Sequence, residues 1–184
     1  MEHFYHNIQG WFDFQDVYTG MVNHAPHNAH FVEVGSWKGA SSSYMAVEII
    51  NSGKHIQFDC IDIWQAENND AIYQTDEHVK NNTLYEHFIN NMKPVDGYYR
   101  AFQKSSVEAA DLYQDKSLDF VFIDASHTYE NVYADIKAYL PKIRPGGVIG
   151  GHDYTTSEGV RRATAELLPN HTQISANSWI CVID

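Results

Sequence analysis

Positive charge is scarce in this chain: 12 Lys and Arg stand against 24 Asp and Glu, a formal net charge of −12 at pH 7, and the longest cationic run is the pair Arg161 and Arg162. Proteins that grip phosphate backbones draw their affinity from clustered cations, so nucleic acid is not an expected partner. Acidity alone names no other partner, because it often serves only solubility. Cysteine is nearly absent: Cys60 and Cys181 each lie inside an apolar run, the setting of free buried thiols rather than of a disulfide framework. No apolar run approaches the roughly 18 residues that a membrane-spanning helix needs. The opening stretch MEHFYHNIQGWFDF has neither a cationic start nor a continuous apolar core, as a secretory signal would. The expectations are no membrane partner and a reducing, cytoplasmic setting. Internal repeats and low-complexity tracts are also missing.

What remains is a chain of 184 residues with plentiful aromatics, long enough to bury its own core and short enough to read as one domain, 1–184. Strand-like and helix-like stretches alternate along it. Residues 11–25 read as an N-terminal helix within a helical segment 1–27. Strands are read at 31–34, at HIQFDCIDIW ending on Asp62, at YYRAFQ, at LDFVFIDASH and at VIGGHDY; RPGG before the last is a turn. Helices are read at 41–50, 83–92, 106–114, 129–143 and 158–168, and HTQISANSWICVID closes the chain as an antiparallel hairpin. Strands separated by helix-length crossovers give a doubly wound α/β domain, here with a seven-stranded, mostly parallel sheet and its ligand crevice at the carboxyl ends of the strands. Residues 65–80 form a long polar stretch beside that crevice, the place for a lid or substrate loop.

The first strand runs into FVEVGSWKGASSS. Glycine directly after such a strand lets backbone approach a ligand with no Cβ between. A dinucleotide site needs G-x-G-x-x-G, whereas Glu33-x-Gly35-x-x-x-Gly39 has different spacing, and Glu33 would repel pyrophosphate. A nicotinamide oxidoreductase is therefore disfavoured, and an acid at this strand end suits a cationic ligand.

These residues resemble the first motif of the class I S-adenosylmethionine-dependent methyltransferases. FIDASHTYENVYADIKAYLPKIRPGGVIGGHDY resembles a small branch of them related to macrocin-type O-methyltransferases, and the likeness covers roughly residues 28–184. The resemblance implies a Rossmann-like methyltransferase fold and S-adenosylmethionine held by Glu33, Gly35, Ser36, Gly39, Ser41, Asp62, Ile63, Trp64, Ser105, Ser106 and Asp124. In it Asp62 takes the ribose hydroxyls, Trp64 covers one face of the cofactor, and Ser105 and Ser106 meet the adenine. Ser105 and Ser106 are equally well placed to cap the next helix.

Metal-dependent relatives carry an Asp after the fourth strand and an acidic pair after the fifth; here Asp124 is followed by His152 and Asp153, so one acid is histidine. With neighbouring fourth and fifth strands, Asp124, His127, His152 and Asp153 converge. A metal held by Asp124, His152 and Asp153 is Mg²⁺ if oxygen ligands dominate, and Mn²⁺, Fe²⁺ or Zn²⁺ if the imidazole counts. The alternative assigns His127 or His152 as a general base without metal. Asp124, His127 and His152 are the catalytic candidates, acting on a hydroxyl of a small-molecule substrate. Two rivals stand beside this reading: a metal-dependent enzyme of other chemistry on the same fold, and a cofactor-binding domain without turnover. A homodimer suits so small a chain, although no interface signal is visible. Among eleven histidines most are surface residues, and His3, His6, His24, His27 and His30 are read so; Asp135 is read as solvent-facing. Trp11, Tyr73 and Tyr129 are available to stack on an acceptor ring.

Overall fold

The computed structural model describes residues 1–65 and 75–184. Its strands are β1 His30–Val34, β2 Gln57–Asp62, β3 Arg100–Gln103, β4 Leu118–Ile123, β5 Ile143–Gly151, β6 Thr172–Gln173 and β7 Trp179–Val182. They form one sheet in the order β3-β2-β1-β4-β5-β7-β6. The first five are parallel, β7 runs antiparallel to β5, and β6 is antiparallel to β7. The expected sheet and terminal hairpin are both present. RPGG lies within β5 as a bulge: Leu118 pairs with Ile143, yet Phe120 pairs with Val148, and Gly146 takes φ 76° to absorb the extra residues.

The helices are α1 Gln15–His24, α2 Ala40–Ser52, α3 Glu77–Lys80, α4 Leu84–Met92, α5 Ser106–Ala110, α6 Tyr129–Tyr139 and α7 Glu158–Leu167. The N-terminal helix is shorter than its periodicity suggests: it begins at Gln15, and residues 10–13 are non-helical and line the crevice at the strand ends instead. Strand alternation sorts the core into two layers. Phe31, Phe58, Cys60, Phe120 and Phe122 pack with α1, α2 and α4. Val32, Val34, Ile61, Val121 and Ile123 pack with α5, α6 and α7. Most of the expected lid falls on residues 66–74, outside the described residues; of the remainder, Glu77–Lys80 is helical and capped by the Asp76 carboxylate. Among the described residues no helix is long and apolar enough to cross a membrane.

One polar knot sits inside the second layer. Asp59 on β2 is fully buried and accepts a forked pair from its register partner Arg100, Nε and Nη2 each at 2.7 Å. The Asp59 carboxylate also meets His30 Nε2 at 2.8 Å and the Tyr113 hydroxyl at 3.1 Å. His30 is therefore a half-buried structural partner and not a surface residue. Burial alone would raise the Asp59 pKa, but the hydrogen bonds and charges of His30 and Arg100 outweigh it and hold the carboxyl below its ordinary value. A depressed carboxyl contributes stability above its unfolded pKa of about 3.9 and loses that contribution as pH falls through the lower folded value. Asp59→Asn should therefore cost about 3–5 kcal/mol at pH 7, and the gap to the wild type should narrow on acidification below pH 4. Urea melts at pH 7 and pH 3 check this; a gap independent of pH would contradict it.

Candidate active site

β1 lies between β2 and β4, so the chain leaves it in opposite directions and a crevice opens at the carboxyl ends of these strands. Two backbone bonds lace that edge: Gly35 N–H donates to Ile61 O at 2.8 Å and Asp124 N–H to Val34 O at 2.8 Å. Gly35 takes φ 96°, and a Cβ there would lie 2.0 Å from the Asp124 carbonyl oxygen. Only glycine fits this position. The loop then turns through Trp37 at φ 46° and reaches α2 at Gly39.

Glu33 answers to the loop and not to a ligand. By alternation it shares the Phe31 face and is only 1% exposed. Its carboxylate accepts from the Tyr18 hydroxyl at 2.8 Å, from Ser36 Oγ at 2.8 Å and from Ser42 Oγ. Burial raises its pKa, and the hydroxyl donors oppose that rise. Glu33 is thus corrected from a cofactor contact to the residue that ties β1, α1 and the first turn of α2 together. Gly39 is corrected likewise, since it faces Met92 and Phe88 in the core. Trp64 does not cover a ligand either. It follows the strand at φ 45°, is 1% exposed, packs on Tyr85 and Phe88, and donates its indole N–H to Trp37 O at 2.7 Å.

The crevice itself has a volume of about 1170 Å³. Gly35, Ser36, Ser41, Asp62, Ile63, Ser105, Ser106 and Asp124 line it as expected. At the β2 end, the Asp62 carboxylate is fixed by N–H groups, Trp37 on Oδ2 at 2.8 Å and Trp64 on Oδ1 at 2.7 Å. Asp135, read from sequence as solvent-facing, is instead 3% exposed, lines the crevice and accepts from Ser106 Oγ. Ser105 caps α5. Trp11 is exposed at the crevice wall. Tyr129 is bonded to Glu166 and does not line the crevice, and Tyr73 lies outside the described residues.

At the β4–β5 end the four expected side chains do meet. One ligand atom each from Asp124, His152 and Asp153 lie within 4.8 Å of one another. His152 Nδ1 is 3.7 Å from Asp124 Oδ1 and 3.4 Å from Asp153 Oδ2, and His127 Nε2 is 2.8 Å from Asp153 Oδ2. Burial raises the Asp124 pKa to about 7 against the pull of His152. Burial would lower His152, but Asp153 and Asp124 override it and push the imidazole up to about 9. The hydrogen bond to Asp153 raises His127. Asp153 itself is held well below the carboxylate range, because the hydrogen bonds of His127 and His152 outweigh its burial.

Several partners escape sequence reasoning. Asp13, in the non-helical stretch before α1, accepts from His152 Nε2 at 2.7 Å across 139 positions; nothing in WFDFQ signals this. Asn177, between β6 and β7, donates to Asp153 Oδ1 at 3.1 Å. Lys38, only 2% exposed, turns away from the crevice to reach Gln9 Oε1 at 2.6 Å and the Asp76 carboxylate. It joins the glycine loop to the N-terminal stretch and to α3.

A seven-stranded sheet of this order, an acid–glycine loop after β1 and a carboxylate ending β2 define the class I methyltransferase fold. The chain belongs to the methyltransferase-domain family, whose pattern it matches over residues 32–154. It is 26% identical over 147 residues, 78% of its length, to the uncharacterized protein y4gI of Sinorhizobium fredii, of which it spans only 15%. Its structure is similar to that of the O-methyltransferase NovP, with a TM-score of 0.68 at 16% identity over 92% of this chain and 78% of that one. It is also similar to a SAM-dependent O-methyltransferase from Thermotoga maritima, with a TM-score of 0.65 at 10% identity over 95% and 67% of the two chains. At such identities the likeness is one of fold.

The Gly35 contact makes a sharp comparison with Gly53, the αL cap after α2, where φ is 66° and an added Cβ meets nothing within 4 Å. Gly53→Ala should cost about 1–2 kcal/mol, the strain of the left-handed conformation. Gly35→Ala adds a backbone clash and should cost more than about 4 kcal/mol or prevent folding. Equal costs in denaturant melts would show that close approach is not what fixes Gly35.

Proposed function

We propose that this protein moves a methyl group from S-adenosylmethionine to a hydroxyl of a small-molecule acceptor, with a divalent cation held by Asp124, His152 and Asp153. One observation carries the reading: a single crevice joins the fixed Asp62 carboxylate to the Asp124–His152–Asp153 cluster, with Gly35 between them.

The residues present fit both groups. Backbone N–H groups of Trp37 and Trp64 orient the Asp62 carboxylate at the crevice end of β2, and a carboxylate is the acceptor type that ribose hydroxyls need. The loop's own lysine is turned away, so nothing in the β1 loop recruits phosphate, and a sulfonium nucleoside has no phosphate to place. For the metal, His152 is oriented through Nε2 by Asp13, which leaves Nδ1 between two carboxylates, the arrangement in which an outer carboxylate aims a histidine ligand. One nitrogen among oxygens suits Mn²⁺, Fe²⁺ or Zn²⁺ better than Mg²⁺. A bound cation would lower the acceptor's pKa and fix its oxygen, while S-adenosylmethionine supplies the electrophilic methyl.

The protein's own contribution is alignment and proton removal. His152, protonated up to about pH 9 beside its two carboxylates, is a poor base at neutral pH, and His127 is paired with Asp153. Asp124, held at about 7, has the affinity to take a proton near neutrality. This favours Asp124 over either histidine as the base if transfer proceeds without metal.

Isothermal titration with S-adenosylmethionine and S-adenosylhomocysteine, with and without Mn²⁺, tests the reading. Micromolar binding is expected, weakened at least tenfold in Asp62→Ala. His152→Ala should abolish Mn²⁺ binding, followed by electron paramagnetic resonance, while S-adenosylhomocysteine still binds. No binding of either nucleoside under any metal condition would overturn the proposal. Methyl transfer that persists undiminished in EDTA would remove the metal and leave Asp124.

A further inference from the structure

His152 and Asp153 are neighbours in the chain, and neighbours in an extended strand point to opposite faces. His152 still follows the strand edge, its N–H donating to Ile123 O at 3.1 Å. Asp153 then takes φ 57°, the left-handed region that residues other than glycine adopt at a cost. This turn breaks the alternation and lets both side chains reach the cluster with Asp124. Such a conformation persists only where the surroundings determine it.

Here the surroundings come from the connection between β6 and β7. Asn177 O accepts from Tyr154 N–H at 3.0 Å, and Asn177 Oδ1 accepts from the N–H groups of Thr155 at 3.0 Å and Thr156 at 3.3 Å. One asparagine thus takes three successive amides of the turn. Its Oδ1 is committed to backbone, so it is not placed to be a ligand, and its Nδ2 donates to Asp153 Oδ1 at 3.1 Å. The Thr156 hydroxyl donates to the same oxygen at 2.5 Å. The other oxygen, Oδ2, faces the histidines, 3.4 Å from His152 Nδ1 and 2.8 Å from His127 Nε2. The carboxylate is therefore divided: one oxygen is anchored from the hairpin side, and the other is turned toward the cluster.

We propose that Asn177 and Thr156 are positioning residues for the cation: by anchoring Asp153 Oδ1 they present Oδ2 to a metal shared with Asp124 and His152. The inference rests on the metal reading above and extends that site to the β6–β7 connection, which supplies no ligand of its own. Outer partners of this kind set metal affinity because a ligand already aimed has less freedom to lose on binding.

Mn²⁺ titrations followed by electron paramagnetic resonance, with thermal melts and S-adenosylhomocysteine titrations of the same samples, test this. Asn177→Ala should weaken Mn²⁺ binding about ten- to a hundredfold, while the folded variant binds S-adenosylhomocysteine as the wild type does. Thr156→Val, which removes the hydroxyl donor, should weaken Mn²⁺ as well, and Thr156→Ser, which keeps that donor, should retain wild-type affinity. A purely structural role lowers the melting temperature without moving the Mn²⁺ affinity of the folded protein. Wild-type affinity in folded Asn177→Ala would therefore overturn this assignment alone, as would equal losses in Thr156→Ser and Thr156→Val. If Asn177→Ala does not fold, wild-type affinity in Thr156→Val overturns it instead. A wild type that binds no Mn²⁺, or Mn²⁺ binding undiminished in His152→Ala, would overturn the metal reading and this assignment with it.

Discussion

The approach of Gly35 to the backbone of Asp124 governs the rest of the site. The two residues end adjacent parallel strands, and the absent Cβ lets the β1 loop lie against the β4 end. That contact places the loop at the centre of the crevice and puts Asp124 within reach of a ligand resting on Gly35. The β2 end and the β4–β5 end thereby become parts of one cavity. A side chain at Gly35 would push the loop outward and separate them.

The loop is held from behind by a buried charge. Tyr18 from α1, with Ser36 and Ser42 from the loop and α2, donates to the Glu33 carboxylate. These hydroxyls, with that of Ser41, oppose the cost of burying an acid, yet its pKa remains raised by desolvation. A buried acid satisfied by donors from α1, the loop and α2 rigidifies the loop geometry. The residue type that sequence motifs associate with ligand binding is here a structural keystone whose effect on a ligand is indirect.

The parallel core and the closing hairpin were legible because buried strands read as apolar runs and crossovers are helix-length. The convergence of Asp124, His152 and Asp153 followed from the family resemblance, which makes the fourth and fifth strands neighbours that end together. Orientation was not. Glu33 was given to the ligand although it sits between Val32 and Val34 and so must share the Phe31 face. Trp64 was given to the cofactor because a single residue at φ 45° after the strand breaks the alternation that would place it. Asp135 was within reach of periodicity, lying in the stripe of Val132, Ile136 and Tyr139. Asp13 and Asn177 were not, because their contacts with His152 and Asp153 depend on irregular segments whose path no local pattern encodes.

The charge balance of the crevice constrains its occupant. Asp13, Asp62, Asp124, Asp135 and Asp153 all line it, and Lys104 is the single lysine or arginine among its described lining residues. At the β4–β5 end the imidazoles supply compensation, which is why His152 is raised to about 9 and Asp153 is depressed. An imidazolium between two carboxylates occupies the electrostatic place that a cation would take, so a divalent ion there would exchange one positive group for another and displace a proton in doing so. At the other end no histidine is among the described lining residues beside Asp62, and the donors there come from backbone, serine, Gln65 and Lys104. A negatively lined cleft with low-dielectric walls concentrates cations. A ligand that carries positive charge at its centre and hydroxyl donors at one end suits that field, whereas a phosphate would meet carboxylates along most of the crevice.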